Sequence, residues 1–462
     1  MSAQAQDLVE AALAASTSDG CIVIAAEHTE TNLRWAGNSL TTNGQMRTRN
    51  VTVVSIRDDA EGARAGVLTR SISNADELDE LVRASEQAAR DAAPADDAAP
   101  LVDSYPNDDD WAGDPAETSV AVFEQFATSL GEVFERWRKS DRLLFGFAEH
   151  QLTSSYLGTS TGVRRRFDQP DGRVEINGKS DDYARSAYVS QHSNDFADVD
   201  PQALAGSLDQ RLDWAASKID LPAGRYETLL PPTCVADLNI YAYLTASARD
   251  AEEGRSVFAG ADGVTRIGER LSPLPLRLYS DPNYPGLECA PFQINEETFG
   301  SLWSVFDNGL PRPAVDWMRD GALTNLVRTR AWGAKTDAKP CPIIDNLIMD
   351  GNGSASLEEM IAATERGLLL TTLWYIREVD PQTLLLTGLT RDGVYLVENG
   401  AVRGAVNNFR FNESPIDLWS RVTEVGRTEP AMSREWNDFF RRSAMPAVRV
   451  PDFNMSTVSK AS

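Results

Sequence analysis

The stretch from residue 357 to residue 411 constrains the fold more than any other part of the chain. Just before it, Ser356 and Glu359 have the spacing of a capping box, which predicts that a helix begins there. Gly367 can adopt the left-handed conformation that ends such a helix. Runs rich in apolar and β-branched residues then predict strands over 368–376, 383–390, 394–397 and 401–411.

Two dipeptides between these runs are typical of tight hairpin turns. They are Asp392-Gly393 and Asn399-Gly400, and both central positions of the favoured two-residue turns require positive φ. The stretch therefore predicts an antiparallel meander with a helix at its entrance.

The charge of the chain limits its partners. The 462 residues include 69 acidic and 44 basic ones, a net charge of −25, and such a field repels nucleic-acid phosphates. No apolar run reaches the roughly 20 residues that cross a bilayer. The first residues lack the basic start and apolar centre of a signal peptide. These features predict a cytoplasmic protein with no direct nucleic-acid partner and no membrane partner.

The cysteines agree with a reducing compartment. Cys21, Cys234, Cys289 and Cys341 lie far apart in the sequence, with no Cys-x-x-Cys pair. This usage predicts four reduced and mostly buried thiols.

Alternating and helical periodicities predict an α+β protein of two domains, residues 1–218 and 219–462. The first would be a mixed sheet with covering helices, and the second a β-rich curved sheet that the meander closes. In the first domain, helices are predicted over 8–15, 76–93, 119–138 and 202–218. Strands are predicted over 21–26, 31–39, 47–56, 63–68, 143–156, 163–167, 173–179 and 185–190, with turns at Asn43-Gly44 and Asp171-Gly172.

An acidic segment interrupts the first domain. Residues 91–117 contain nine acidic residues and four prolines but no Lys or Arg, which predicts a solvated, weakly packed loop that proteases cut first. A docking segment for a basic partner is the alternative. The basic triplet at 164–166 lies in a predicted strand, so at most two of its side chains share a face, and a nucleic-acid patch is not expected there.

Several segments, in order, resemble the TldD/PmbA family, whose members are metalloprotease-type proteins first named as modulators of DNA gyrase. The resemblance begins with TNLRWAGNSLTTNG in the first domain and is densest in the second. The segments there are LPAGRYETLLPP, SVFAG, SDPNYPG, INEETFG, TNLVRTRAWGAKT and the run from GLLLTTLWYIREV to NNFRFNESPIDL. The resemblance implies that the second domain has this family's fold.

In the zinc-binding branch of the family, a helix before the SVFAG-like segment carries His-Glu-x-x-x-His. Two histidines hold zinc there, and the Glu acts as base on the bound water. Counting back from Ser256, these positions fall on Asn239, Ile240 and Leu244. No histidine lies in the second predicted domain, and a cysteine ligand near the C-terminus is also missing, since Cys341 is the last cysteine. The pattern resembles the PmbA (TldE) branch, which lacks the metal site.

The resemblance implies a non-catalytic subunit. Such a chain would pair with a TldD-like zinc subunit in a cytoplasmic complex for peptide proteolysis or maturation. It would hold no cofactor itself, because zinc would lie in the partner. Its role would be to wall the chamber and to bind unfolded peptide along strand edges.

Four residues are candidates for peptide binding. Arg328, Arg330 and Lys335 form the densest basic cluster of the second domain and could hold a carboxylate. Ion pairing within an acid-rich chain is the alternative for all three. Asn352 lies in the run Asp350-Gly-Asn-Gly-Ser354, which could bind an anion at a helix N-terminus or form a tight turn.

Two other functions stay open from the sequence. The chain could be an autonomous hydrolase that uses carboxylates, for example Glu296, Glu297 or Asp345. It could also be a regulatory protein that binds a topoisomerase, as the family's older name suggests. A metal site built from the three histidines, His28, His150 and His192, is less expected than surface or hydrogen-bonded histidines. Ser160 lies in Gly-Thr-Ser-Thr-Gly, which predicts a turn rather than a nucleophile elbow.

Overall fold

The computed structural model describes residues 4–72, 75–103 and 105–459, and its secondary structure divides between two β-sheets. The helices are α1 Ala5–Ala15, α2 Ala75–Asp91, α3 Glu124–Trp137, α4 Pro201–Trp214, α5 Pro232–Leu244, α6 Ala248–Glu252, α7 Arg330–Thr336, α8 Leu357–Ala362 and α9 Pro415–Arg421. None of the helices in these ranges is long and apolar enough to cross a membrane. The predicted α+β class is confirmed.

The strands follow the same chain order. Those of the first sheet are β1 Gly20–Trp35, β2 Leu40–Asp59, β3 Gly62–Ser71, β4 Arg142–Thr159, β5 Arg164–Ser180 and β6 Ser186–Ser193. Those of the second sheet are β7 Lys218–Ile219, β8 Gly224–Leu230, β9 Arg277–Ser280, β10 Val315–Arg319, β11 Ala322–Leu323, β12 Leu347–Asp350, β13 Arg366–Leu370, β14 Leu373–Asp380, β15 Leu385–Thr390, β16 Val394–Glu398, β17 Ala401–Val406, β18 Phe409–Glu413, β19 Glu424–Ala431 and β20 Ser443–Val458.

The first sheet is antiparallel, with the order β3-β2-β1-β4-β5-β6. Helices α1 and α2 pack against one end of it, and α3 and α4 against the other. Helix α3 buries Phe126, Leu130 and Phe134, which share one helix face because they are spaced three to four residues apart. The predicted covering helices are therefore confirmed.

Two predicted turns in the first sheet are wrong. Asn43 and Gly44 lie inside β2, where they pair with Leu33 and Asn32, and the chain reverses instead at residues 36–39, with φ 57° at Gly37. Asp171-Gly172 lies inside β5. A Cβ on Gly172 would lie 2.6 Å from the carbonyl oxygen of Ser193. That glycine therefore serves close strand packing rather than a turn.

The second sheet has 14 strands and is organised around β20. Its main path is β11-β10-β9-β12-β20-β8-β13-β16-β17-β7, and β14, β15 and β18 form a branch that joins β20. Strand β20 pairs in parallel with β12 and antiparallel with β8, β18 and β19. The predicted boundary at 218–219 falls inside β7, and the division into two domains stays a prediction.

The meander is only partly as predicted. The capping box of Ser356 and Glu359 starts α8, and Asn399-Gly400, with φ 50° and 74°, forms the turn between the paired strands β16 and β17. Asp392-Gly393 connects β15 to β16, but these strands do not pair. Strand β15 pairs with β14 and β18, while β16 pairs with β13 and β17.

Gly367 does not end α8, which stops at Ala362. It lies in β13, where an added Cβ would be 2.9 Å from the carbonyl oxygen of Glu227. The residue is small because β8 approaches closely at this point.

The acidic segment 91–117, described except for residue 104, is not weakly packed as predicted. Val102 is buried, and the Trp111 ring packs against Tyr156 with 5.7 Å between centroids. The carboxylate of Asp108 is 3.2 Å from Arg165, and Asp110 pairs with Arg166. The basic triplet of β5 thus binds the acidic segment of the same chain.

Candidate functional site

Helix α5 occupies the place where the resemblance puts a metal motif in the zinc-binding branch. Pro232 stands at its first turn, where a missing N–H costs nothing. Residues on every side of α5 are buried, and the helix lies among β8, β19, β20 and α9. A helix that is apolar all round belongs to a core.

Two of the three positions that replace the motif are deep in that core. The side-chain oxygen of Asn239 accepts a hydrogen bond from Trp419 Nε1 at 2.9 Å, and its Nδ2 lies 3.1 Å from Met349 Sδ. Ile240 is fully buried, and Leu244 packs partly buried against the same core. All three side chains make contacts within the core.

A buried carboxylate stands on the same helix. Asp237 Oδ1 accepts hydrogen bonds from Ser433 Oγ at 2.5 Å and from the N–H of Glu435 at 2.9 Å. Its backbone oxygen accepts one from Trp436 Nε1 at 2.8 Å. Burial raises the pKa of Asp237 to about 7, although the hydrogen bonds from Ser433 and Glu435 act in the opposite direction. The carboxyl group thus fixes the segment after β19.

That segment also joins the two sheets. Arg434 lies 2.7 Å from the carboxylate of Asp392, and its guanidinium stacks 4.1 Å from the Tyr188 ring and 4.9 Å from the Trp374 ring. Tyr188 belongs to β6 of the first sheet, whereas Trp374 belongs to β14 of the second. A single cation therefore contacts both sheets.

A group of partly exposed aromatic rings lies beside this junction. The Trp436 ring is 5.1 Å from Tyr241 and 5.7 Å from Phe439, and Phe439 is 63% exposed. The next residue back, Glu435, accepts the N–H of Tyr375, which is 54% exposed. We call Tyr241, Tyr375, Trp436 and Phe439 the aromatic surface. Because Tyr375 and Phe439 are exposed beside partly buried rings, the aromatic surface is a candidate for binding.

Strand β14, which carries Tyr375, lies at an edge of the second sheet. Within the described residues it pairs with β15 alone. Its side chains at Arg377, Glu378 and Val379 are exposed. Arg377 lies 2.8 Å from Glu435, so the strand and the segment after β19 form one continuous surface.

A buried ionic network lies where the first sheet meets the same segment. Asp171 lies 3.1 Å from Arg442, 3.7 Å from Arg441 and 3.2 Å from His192. Burial opposes ionisation of Asp171, but the charges of Arg442 and Arg441 outweigh it and keep the pKa of the carboxyl below its usual value. Arg441 also lies 3.2 Å from Glu149. This network holds the sheets together.

The histidines do not form a joint site. His28 is hydrogen-bonded to Thr153 and His150 to Thr118, while His192 faces Asp171. Across the described ranges, no group of three or more His, Cys, Asp or Glu side chains is placed to hold a metal ion. The four cysteines are free thiols, and burial raises the pKa of Cys21 to about 11, which keeps it protonated and unreactive.

The four candidate peptide-binding residues have different contacts. Arg328 lies 2.7 Å from Glu252, and Arg330 lies 2.8 Å from Asp307, as the ion-pairing alternative expected. Lys335 stacks 4.8 Å from the Trp332 ring. Asn352 lies in the turn after β12, with φ 58°, in a different part of the second sheet. Their role in peptide binding stays a prediction.

The carboxylates of the hydrolase alternative lie in two different surroundings. Asp345 pairs with Arg312 at 2.6 Å, and Glu296 and Glu297 lie exposed in a loop. The Oγ of Ser160 accepts the N–H of Cys21 at 3.0 Å, as expected for a residue that stabilises a turn.

The residues that sequence reasoning missed are Asp237 and its partners Ser433, Glu435 and Trp436. One signal for Asp237 was present, because a lone carboxylate stands in the otherwise apolar run VADLNIYAYL. Nothing local marks the partners. They reach Asp237 only through the pairing of β19 with β20.

Comparison with known proteins agrees with this geometry. The family model for the PmbA/TldA metallopeptidase C-terminal domain matches residues 223–457, whereas no curated protein matches the chain. TldE from Thermococcus kodakarensis has a similar structure, with a TM-score of 0.78 at 14% identity, over 97% of this chain and 99% of that chain.

Two further solved structures share the fold. A protein from Bacteroides thetaiotaomicron described as a modulator of DNA gyrase has a TM-score of 0.77 at 15% identity, over 98% of each chain. A similarly described protein from Thermotoga maritima has a TM-score of 0.74 at 15% identity, over 94% of this chain and 95% of that chain. At such identities the structural likeness concerns the fold alone. Since the family model covers more than half of the sequence, the chain belongs to the PmbA/TldD family.

Proposed function

We propose that this chain is a non-catalytic, PmbA/TldE-like subunit of a cytoplasmic complex that degrades or matures peptides. Its partner is a TldD-like subunit that supplies zinc, the catalytic base and the attacking water. The chain itself binds no cofactor and walls the chamber in which peptides are held.

The observation that carries this proposal is the packing of Asn239. Its amide group is committed to Trp419 and Met349 inside the core, and an amide oxygen is a poor zinc ligand. Ile240, next to it, can be neither ligand nor base. A metal bound here would need a new set of ligands, because the small cavity beside Asn239 is lined mainly by apolar side chains such as Leu238 and Met349.

The aromatic surface supports the peptide-binding role. Tyr375 and Phe439 are more than half exposed, and rings of this kind bind extended peptides without demanding one sequence. The neighbouring edge of β14 offers main-chain groups, although Glu435 already accepts the N–H of Tyr375. Side-chain contacts with the aromatic surface would therefore contribute more than strand addition.

Zinc analysis and a peptidase assay with and without a partner test the proposal. The purified chain should hold far less than one zinc per chain and cleave no peptide. Co-expression with a TldD-like chain that carries His-Glu-x-x-x-His should give one stable complex with peptidase activity. Stoichiometric zinc in the chain alone, with hydrolysis that a chelator abolishes, would overturn the proposal.

Two variants distinguish peptide binding by the aromatic surface from assembly of the complex. Phe439→Ser should leave the complex intact and raise KM for peptides, because it removes an exposed ring from the aromatic surface. Val264→Ser is the matched control, since Val264 is similarly exposed, at 60%, but belongs to another loop. Equal kinetics for the two variants would show that the aromatic surface does not contact substrate.

A further inference from the structure

We propose that the first half of β2, residues 40–49, binds the zinc subunit. It would pair with an edge strand of that subunit that carries carboxylates. We call residues 40–49 the open edge. The inference rests on the proposed function for the identity of the partner, but its evidence comes from the first sheet.

The open edge results from a difference in strand length. Strand β1 pairs with β2 along its whole length, from Gly20 with Ile56 to Trp35 with Leu40. Strand β3 covers the other side of β2 only from Asn50 to Asp59. Within the described ranges, no strand pairs with the outer side of residues 40–49.

The usual protections of an edge strand are missing here. Residues 40–49 contain no Pro and no Lys, and the β1–β2 ladder is regular except for a bulge beside Trp35. Leu40 and Met46 are 53% and 47% exposed. A long, regular and partly apolar edge is a template for another strand, and proteins that keep one free usually interrupt it.

Two other edges, those of β3 and β14, differ from it. Helix α2 packs against β3 so closely that a Cβ on Gly66 would lie 2.1 Å from the carbonyl oxygen of Ser85. On β14, Glu435 accepts the N–H of Tyr375. Among the described residues, no strand lies against the outer side of the open edge, and its contacts with Glu117 and Thr118 are made by the side chains of Arg47 and Gln45.

Charge indicates the chemistry of the partner. Residues 31–49 contain three arginines and no acidic residue, in a chain of net charge −25. Arg47 pairs with Glu117 at 2.6 Å and Arg49 pairs with Glu27. Arg34 is exposed over the Phe147 ring and has no acidic partner among the residues that the structure describes, so it carries the uncompensated charge. A partner strand with carboxylates would complement the positive charge of residues 31–49. A second copy of this chain would instead place two such basic segments against each other.

Hydrogen exchange of the complex tests the docking site directly. In an antiparallel edge, alternate N–H groups point outward, so about half of the amides in 40–49 should exchange rapidly in the free chain. In the complex with a TldD-like chain, these amides should exchange slower by about tenfold or more, because main-chain pairing protects them. Amides of β3 serve as the internal control and should not change.

A charge reversal tests the partner's chemistry. Arg34→Glu should weaken the complex by about tenfold, mostly through slower association at low salt. Arg70→Glu on β3 is the control, since Arg70 is likewise exposed, at 46%, and should change the affinity little. Both variants keep the ladder between β1 and β2.

Each outcome is decisive. Absence of a complex with any TldD-like chain overturns both the proposed function and this docking site. A complex that leaves amides 40–49 exchanging as before overturns the docking site alone. A dimer of the purified chain whose amides 40–49 are protected would show that the occupant is a second copy, and would overturn the proposed partner.

Discussion

Ser433 donates a hydrogen bond of 2.5 Å to the buried carboxyl of Asp237, although 196 residues separate them in the sequence. The same oxygen accepts the N–H of Glu435, so one side chain on α5 fixes the start of the segment that carries Arg434, Trp436 and, further on, Arg441. The protonation state of Asp237 is therefore coupled to the contact between the two sheets.

Asp237→Asn should stabilise the protein at pH 8, and the gain should shrink as the pH falls. Burial raises the pKa of this carboxyl from 3.8 to about 7. Its proton therefore stabilises the folded state fully below pH 3.8, and this contribution is lost as the pH rises through about 7. At ~1.4 kcal/mol per pH unit, the shift from 3.8 to about 7 makes the expected gain at pH 8 about 4 kcal/mol. Urea denaturation from pH 5 to pH 8 measures it.

The control for this experiment is Asp438→Asn, because the Asp438 carboxylate is 83% exposed. That variant should follow the wild-type curve at every pH. Parallel curves for wild type and Asp237→Asn would show that Asp237 titrates normally.

Asn239 and Trp419 should be energetically coupled. Asn239→Leu leaves the buried Trp419 N–H without its acceptor at 2.9 Å, which should cost about 1–3 kcal/mol. Combined with Trp419→Phe, which removes the donor, it should cost less than the sum of the single changes. Denaturation midpoints of the four proteins give the coupling. The control is the pair Asn239→Leu and Trp332→Phe, whose effects on the free energy of unfolding should add. If the effects of Asn239→Leu and Trp419→Phe also add, the hydrogen bond between Asn239 and Trp419 does not form.

Asp171→Asn should destabilise the fold by about 3–5 kcal/mol, because the buried Arg442 then loses its carboxylate at 3.1 Å and Arg441 keeps only Glu149. Thermal and chemical unfolding measure this loss. Asp438→Asn should cost less than about 1 kcal/mol, since Arg173, its partner, retains Glu149 and Glu175. Equal effects of the two substitutions would mean that the network near Asp171 is solvated.

Arg166→Ala should release the acidic segment to proteases. Arg166 pairs with Asp110 and stacks on Tyr156, so its loss frees the loop around Trp111 and should speed cleavage within 105–117 several-fold. Limited proteolysis with mass spectrometry locates the cuts. Arg70→Ala, which removes an exposed ion pair, should leave the cleavage rate unchanged. Rapid cutting of the wild type in 105–117 would instead support the loop that the sequence predicted.

The sequence predicts elements well where periodicity is local. The helix predicted over 119–138 and the capping box of α8 depend on neighbouring residues, and the structure has both, the first as a 3-10 turn at Val120–Phe123 followed by α3. Strand pairing could not be predicted in this way. Asp392-Gly393 has positive φ at both residues, 52° and 142°, yet the strands beside it take other partners, since β15 pairs with β18 and β16 with β13. Asp237 was visible as an anomaly, whereas its partner Ser433 depends on the assembled sheet.

The position of β20 has a consequence for how the chain is made. This strand lies between β12 and β8 in the second sheet, but it follows every one of its partners in the sequence, and its Asn454 pairs with Arg225. During synthesis, strands from β8 onward must wait with open edges until β20 leaves the ribosome. We therefore expect the first sheet to fold during translation, and the second sheet to close only after residue 458 has emerged.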